Sequence, residues 1–222
     1  MTPQSVALVA ARDEQGRVGP CVAALRDVVA EVVVVDDAST DATPAEAAEA
    51  GATVLRVGRR LGKGAALEGA LRRLDPAEIW LLADGDLGET AKGLSVLVDL
   101  VAAGDADLAI AAFPPASAGG FGLVKKAAAH VIRVQAGFEA AEPLSGQRAL
   151  SGEAMERVRP LAGGFGVETA MTIDAVRGGL RVVEVPIDGL DHRPTYRDPA
   201  GFLHRARQGW DIARAVGPRM WR

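Results

Sequence analysis

The sequence predicts an α/β fold, a doubly wound and mostly parallel sheet with flanking helices. Apolar runs of strand length alternate five times with helix-length segments over short links, the rhythm of parallel strands joined by crossover helices. Val32-Val33-Val34-Val35 is β-branched throughout and apolar on both faces, as a central parallel strand must be when helices cover it from each side. Acidic residues follow three of the strands, at Asp13-Glu14, Asp36-Asp37 and Asp84-Asp86. In such sheets ligands collect beyond the carboxyl ends of the strands.

Val6–Ala10 is the first strand, ending at the polar Arg12-Asp13-Glu14. Gly19-Pro20 opens a helix with Val22, Leu25 and Val29 on one face, since proline is tolerated in a first helical turn. After Val32–Val35 comes Asp36-Asp37-Ala38-Ser39-Thr40-Asp41, and a helix starts at Thr43-Pro44 and closes at Gly51. Thr53–Arg56 forms a short third strand. Gly62-Lys63-Gly64 then begins a helix with Leu67, Ala70, Leu71 and Leu74 at helical spacing. Ile79–Ala83 is the fourth strand, Leu94, Leu97, Val98 and Val101 stripe the next helix, and Asp107–Ala112 is the fifth strand.

Beyond residue 113 the rhythm changes. Phe113-Pro114-Pro115 through Gly119-Gly120 reads as a loop of small residues. Helices are expected over Phe121–Gln135, near Glu153–Arg157 and across Val167–Arg177, and a late strand over Arg181–Val185 is stopped by Pro186. No internal repeat or low-complexity linker divides the chain. One domain over 1–222 is therefore expected, with halves at 1–112 and 113–191 and a basic tail at 192–222.

Hydrophobic residues make up 49% of the 222 residues, which excludes a disordered chain. A net charge of −4 gives no global attraction to nucleic acid. The single Cys21 has no disulfide partner, which points to a reducing, cytoplasmic compartment. No basic region followed by an apolar core opens the sequence, and no apolar run reaches spanning length, so neither a signal peptide nor a membrane span is expected. The tail carries seven arginines against two aspartates, with Phe202, Leu203, Trp210 and Trp221 among them. It reads either as a docked terminal helix with a solvated arginine face or as a peripheral contact at the inner face of the membrane.

Ile79–Ala83 empties into Asp84-Gly85-Asp86. Side chains alternate along extended backbone, so the two carboxylates are expected to project the same way. Such a pair invites a hard divalent cation, while a polar turn with two solvated aspartates is the plain alternative. Gly85 would let a backbone or ligand approach the turn closely. Lys63, between glycines at a helix start, lies where free N–H groups favour anions, or is simply solvated. Ser39, Thr40 or Asp41 could cap the helix that follows them.

Taken together, VALVAARDEQGRVG, VVVVDDASTDAT, LGKGAALEGAL, LLADGDL, PLSGQRAL, GFGVETAMTIDAVRGGLRVVEVPI and His192-Arg193 resemble a family-2 glycosyltransferase of the GT-A fold, in order and at familiar spacing. The chain is most similar to the branch holding dolichyl- and polyprenyl-phosphate sugar synthases, with glucosyl-3-phosphoglycerate synthases as more distant cousins. That resemblance implies sugar transfer from a nucleotide-diphosphate sugar to an acceptor, with residues 1–112 as the donor half and 113–191 as the acceptor half. Asp84 and Asp86 would hold Mg²⁺ or Mn²⁺ against the diphosphate, with His192 as a further metal ligand. Asp36 and Asp37 would accept from the nucleotide base, Asp37 foremost, through a charge-assisted bond. Ala11, Arg12 and Glu14 match the segment beside base and ribose; the family's apolar-Pro-x-Asn-Glu wording reads here Val9-Ala10-Ala11-Arg12-Asp13-Glu14.

Lys63, Gly85 and Arg193 are implied on the donor side, and Gln147 and Arg148 on the acceptor side. Asp86, Glu168 and Arg148 are implied in catalysis. Gly88 stands where close lipid-phosphate enzymes carry glutamine. The Glu-Asp pair of many hydroxyl-directed relatives is missing, which favours a phosphate-bearing acceptor, whose oxygen is already ionised at neutral pH. A polyprenyl phosphate is one such acceptor. A sugar-phosphate or cofactor nucleotidyltransferase would share fold and metal aspartates, but opens with a glycine-rich, arginine-containing loop where this chain has Ala10-Ala11-Arg12-Asp13-Glu14. No G-x-G-x-x-G follows the first strand, against an oxidoreductase. A receiver or binding module could use the aspartates for Mg²⁺ but leaves the second half without a purpose.

Overall fold

The computed structural model describes residues 4–113 and 122–190. Their elements run β1 (Ser5–Ala11), α1 (Val18–Leu25), β2 (Glu31–Asp36), α2 (Thr43–Glu49), β3 (Thr53–Arg56), α3 (Lys63–Leu71) and β4 (Ile79–Asp84). After a 3₁₀ stretch, Gly88–Leu94, come α4 (Ser95–Ala102), β5 (Leu108–Ala112), α5 (Gly122–Ala136), β6 (Arg148–Ser151) and α6 (Gly152–Val158). A short 3₁₀ turn, Gly164–Gly166, leads into α7 (Val167–Arg177), and β7 (Val182–Pro186) follows. The sheet has seven strands in the order β3-β2-β1-β4-β6-β5-β7. Only β6 runs antiparallel to its neighbours. The strand order reverses between β1 and β4, the place where a doubly wound sheet opens a crevice.

Alternation along the strands builds a core on each face. Ala7, Val9, Val32, Val34, Leu81 and Ala83 face one cluster, with Val22 and Leu25 of α1 and Leu97 and Val101 of α4. Val6, Leu8, Val33, Val35, Trp80 and Leu82 face the other, with Leu67 and Leu71 of α3 and Met171 of α7. The all-valine strand is buried on both sides because helices cover both, as its composition requires.

Three details of the expected elements change. Val29 and Leu74 are buried or partly buried but lie beyond the ends of α1 and α3, so they pack from the loops rather than the helices. The expected helix striped from Leu94 is a 3₁₀ stretch up to that residue and α-helical only after it. Strand β6 has no counterpart in the sequence reading, and Pro186 belongs to β7 rather than stopping it. Among the described residues no helix is long and apolar enough to cross a membrane.

One buried carboxylate ties the layers that frame the site. Glu68 of α3, 8% exposed, accepts hydrogen bonds from the Arg159 guanidinium, from Arg72 Nε and from the Leu161 backbone N–H. Burial pushes its carboxyl up, but the bonds from Arg159, Leu161 and Arg72 outweigh this and hold it below the usual glutamate range. A depressed folded-state pKa stabilises above the unfolded value and is lost as pH falls through the folded one. Glu68→Gln is expected to lower unfolding free energy by about 1–3 kcal/mol at neutral pH. In urea titrations the gap between variant and native chain should close at acid pH; a gap that persists there contradicts the assignment.

Candidate active site

The carboxyl ends of β2, β1 and β4 form a row. The parallel register sets Asp36 beside Ala11, and Ala10 beside Asp84. Gly85 N–H donates to the Ala10 carbonyl at 2.9 Å. A Cβ on Gly85 would stand only 3.0 Å from Ala11 Cβ, so the turn closes against β1 because that residue is glycine. β4 ends at Asp84, and Asp86 lies past it in the turn. Strand alternation therefore does not place Asp86 beside Asp84, which corrects the reason for expecting the pair to share a side. The buried Cys21 lies under both: burial first, and then the charges of Asp86 and Asp84, together push its thiol up to about 12. The main chain of this turn is anchored by Arg17, whose guanidinium donates to the Asp86 carbonyl at 2.6 Å.

The centre of the site is a cluster on Lys63, the first residue of α3. Its Nζ lies 2.6 Å from Asp84 Oδ1 and 3.0 Å from Glu168 Oε1, with 20% of the side chain exposed. The other oxygen of Asp84 accepts from Gln147 Nε2 at 2.9 Å. Burial lowers the Lys63 pKa, but the charges of Asp84 and then Glu168 win and raise it. Gly146 sits against both partners: a Cβ there would run into Lys63 Nζ and come within 2.5 Å of Asp84 Oδ2. Four separate elements thus meet at one ammonium. α3 gives the lysine, β4 and α7 the carboxylates, and the segment before β6 the amide and the glycine.

Arg148 is placed differently from its expected role. It has no exposed surface and pairs by backbone with Leu82 and Ile110 inside the sheet. Its Nε donates to the Ser145 carbonyl and one terminal nitrogen to Thr172 Oγ1 on α7. Burial pulls its pKa down to about 10, with the charges of Glu168 and Glu184 acting the other way. A guanidinium closed off in this way does not touch a substrate in the cleft. It ties the Ser145–Gln147 segment to α7, so Arg148 is corrected from a catalytic group to a positioning one.

The other expected donor-side residues occupy the neighbouring loops. Asp36 is fully buried, with Oδ1 accepting from Ser39 N–H and Oδ2 3.1 Å from Arg56 Nε. Asp37 accepts from the backbone N–H groups of Leu61 and Gly62, at 2.6 and 2.9 Å, and so fixes the segment that delivers Lys63. Ala11 gives a carbonyl to the Asp37 N–H. Arg12 Nε stands 3.5 Å from Asp13 Oδ2. Glu14 N–H donates to Thr43 Oγ1, Asp13 N–H to Ser39 Oγ, and Asp13 Oδ1 accepts from Thr40. Ser39 and Thr40 therefore brace the first loop rather than capping α2, which has no side-chain cap bond. Asp41 accepts instead from Thr43 N–H and Oγ1. A cavity near the end of β3 is lined by Ala38, Arg56, Val57 and Gly58.

His192 and Arg193 lie outside the described residues, as do the loop at 114–121 and the basic tail. Sequence reasoning missed three members of the site: Arg56, Gly146 and the salt bridge from Lys63 to Glu168. Only Arg56 left a signal, since the last residue of a strand neighbouring β2 falls in register with Asp36. Among the described residues no three acid, imidazole or thiol groups gather into a metal-binding cluster. The candidate donors are instead Asp84 at the end of β4 and Asp86 in the turn after it, a set that would suit a cation taking most of its ligands from phosphate and water. An ammonium already stands between Asp84 and Glu168, so this spot attracts positive charge.

A model of the glycosyl transferase family 2 matches residues 6–151. The glycosyltransferase AglJ of Haloferax volcanii is 30% identical over 165 residues, 71% of this chain and 53% of that protein. The chain thus spans about half the length of this curated relative. Glucosyl-3-phosphoglycerate synthase from Mycobacterium tuberculosis, solved with Mn²⁺, uridine diphosphate and glucosyl-3-phosphoglycerate, superposes with a TM-score of 0.81 at 25% identity, covering 98% of this chain and 80% of that one. Its complex with Mg²⁺ and uridine diphosphate gives 0.80 at 24%, over 98% and 79% of the two chains.

Proposed function

Because the chain belongs to glycosyl transferase family 2, we propose that it moves a sugar from a nucleotide-diphosphate sugar to a phosphate-bearing acceptor. The Lys63–Asp84–Gln147–Glu168 cluster at the switch point of the sheet carries this reading. Asp84 and Asp86 would hold Mg²⁺ or Mn²⁺, the ions present in the synthase complexes, and the bound cation would stabilise charge developing on the leaving diphosphate. Lys63 supplies a second positive group beside the diphosphate. Gln147, held by Asp84, and Gly146 form the wall against which the sugar rests. Arg56 and Ala38, the residue after Asp37, line the cavity proposed for the base, and the Asp37 carboxylate, with one bond on each oxygen, keeps lone pairs for a further donor. His192 and Arg193 remain proposed for the metal and the diphosphate.

Glu168 is engaged by Lys63, which suits it better to setting the lysine than to taking a proton. A phosphate acceptor needs no base, and this favours it over a sugar hydroxyl. Phosphoglycerate, which the structural neighbours bind, carries a phosphate together with a free hydroxyl, whereas a polyprenyl phosphate, met at the inner membrane face, offers phosphate oxygens alone; these are the two acceptor chemistries to test.

Incubation with UDP-, GDP- and dTDP-sugars plus Mn²⁺, with 3-phosphoglycerate or polyprenyl phosphate in micelles, decides the matter. Acceptor-dependent release of nucleoside diphosphate is expected. Release of pyrophosphate would instead mean nucleotidyl transfer, and no release with any pair would overturn the proposal.

A further inference from the structure

Both oxygens of Asp84 are engaged by side chains, Oδ1 by the Lys63 ammonium at 2.6 Å and Oδ2 by the Gln147 amide at 2.9 Å. Divalent cations bind carboxylate oxygens at about 2.0–2.6 Å. An ion and an ammonium compete for Oδ1, because two positive charges a few ångströms apart repel. The lysine has somewhere to go. Glu168 Oε1 holds it from the other side at 3.0 Å, so Nζ can leave Asp84 without becoming an unpaired buried charge. Glycines flank it in sequence at Gly62 and Gly64, and Gly146 places no side chain against Nζ.

We propose that Lys63 is an exchangeable counter-ion that closes Asp84 to divalent cations until a nucleoside diphosphate draws its ammonium away. No bond is made or broken. One charge leaves the carboxylate for the phosphate oxygens as another takes its place, so cation and nucleotide bind as a coupled pair. The inference rests on the functional reading above and goes beyond it. It makes the cation affinity of the empty protein low by construction, and it assigns that low affinity to one residue. Couplings between sites commonly amount to about 5–150-fold and are reciprocal, so the cation must tighten the nucleotide by the same factor.

The test is direct titration of the full chain with Mn²⁺, reading free Mn²⁺ by electron paramagnetic resonance, alone and with UDP, GDP or dTDP. The native chain is expected to bind Mn²⁺ weakly alone and at least about tenfold tighter with its nucleotide. Lys63→Met should bind Mn²⁺ alone at least about tenfold tighter than the native chain, so its further gain from nucleotide is smaller than the native chain's, while Lys63→Arg keeps the native coupling. Equal or weaker Mn²⁺ affinity in Lys63→Met, beside nucleotide-dependent binding in the native chain, overturns the exchange and leaves the transferase reading intact. No Mn²⁺ binding by either protein under any condition removes both. Should Lys63→Met not fold by circular dichroism, a crystal structure of the native chain with Mn²⁺ and nucleotide decides. Nζ beyond about 3.5 Å from Asp84 supports the exchange, and Nζ still within that distance refutes it.

Discussion

Asp84→Asn is expected to lower kcat for sugar transfer by about two to three orders of magnitude or more, while the melting temperature moves little. Asparagine keeps the size of the side chain and one acceptor oxygen, so the turn after β4 keeps its shape. It loses the charge that holds Lys63 and would hold the cation. Removing one preorganised electrostatic group aimed at developing charge typically costs about 10²–10³ in rate. Here two such groups depend on the same carboxylate. The effect on stability is small because the Asp84 side chain is 35% exposed and Lys63 retains Glu168, and screened pairs contribute about 0–1 kcal/mol. Steady-state release of nucleoside diphosphate with Mn²⁺ measures the first quantity and thermal unfolding the second. Retention of more than about a tenth of the native rate would remove Asp84 from the chemistry.

Much of this arrangement was legible because period and composition decide it locally. Val32–Val35 reads as a strand covered on both faces, and Ile79–Ala83 as a strand running out into two carboxylates at the sheet's carboxyl edge. The parts that escaped depend on partners far apart in sequence. β6 is four residues, Arg-Ala-Leu-Ser, and its arginine argues against burial until Ser145 and Thr172 appear as partners. Asp36 and Asp37 look alike in sequence, yet one is sealed against Arg56 and the other holds the backbone ahead of α3. Lys63 reads either as an anion-facing lysine at a helix start or as a solvated one between glycines, because nothing nearby announces Glu168. Charged residues that meet only in the fold carry no periodic signal, and they make up most of this site.

The same logic gives Gly64→Ala the largest effect on the fold around the site. Gly64 follows Lys63 in the first turn of α3, and its backbone packs on the segment before α7. An added Cβ would overlap the carbonyl oxygen of Ala162 and lie 3.2 Å from Val167 Cβ. A backbone carbonyl cannot swing aside as a side-chain tip can, so α3 and the 161–163 segment must separate. Overpacking of this kind costs about 1–3 kcal/mol, sometimes more, against about 1 kcal/mol gained by replacing a helical glycine. Because the overlap is with backbone, the cost lies at the top of that range or above it, and a net loss of about 2 kcal/mol is expected, which lowers Tm by roughly 4–8 °C in a chain of this size. Separation also draws Lys63 from Glu168, since the two stand on opposite sides of the contact, and a displacement of about 1 Å near reacting groups can cost about 10²-fold in rate. Gly69→Ala on the same helix is the control: a Cβ there meets nothing within 4 Å, so the helical gain of about 0.5–1 kcal/mol should appear undiminished. Urea unfolding of the two variants separates the cases. If both gain stability alike, α3 is free to lift from the loop beneath it, and the seating of its first turn does not set the lysine in place.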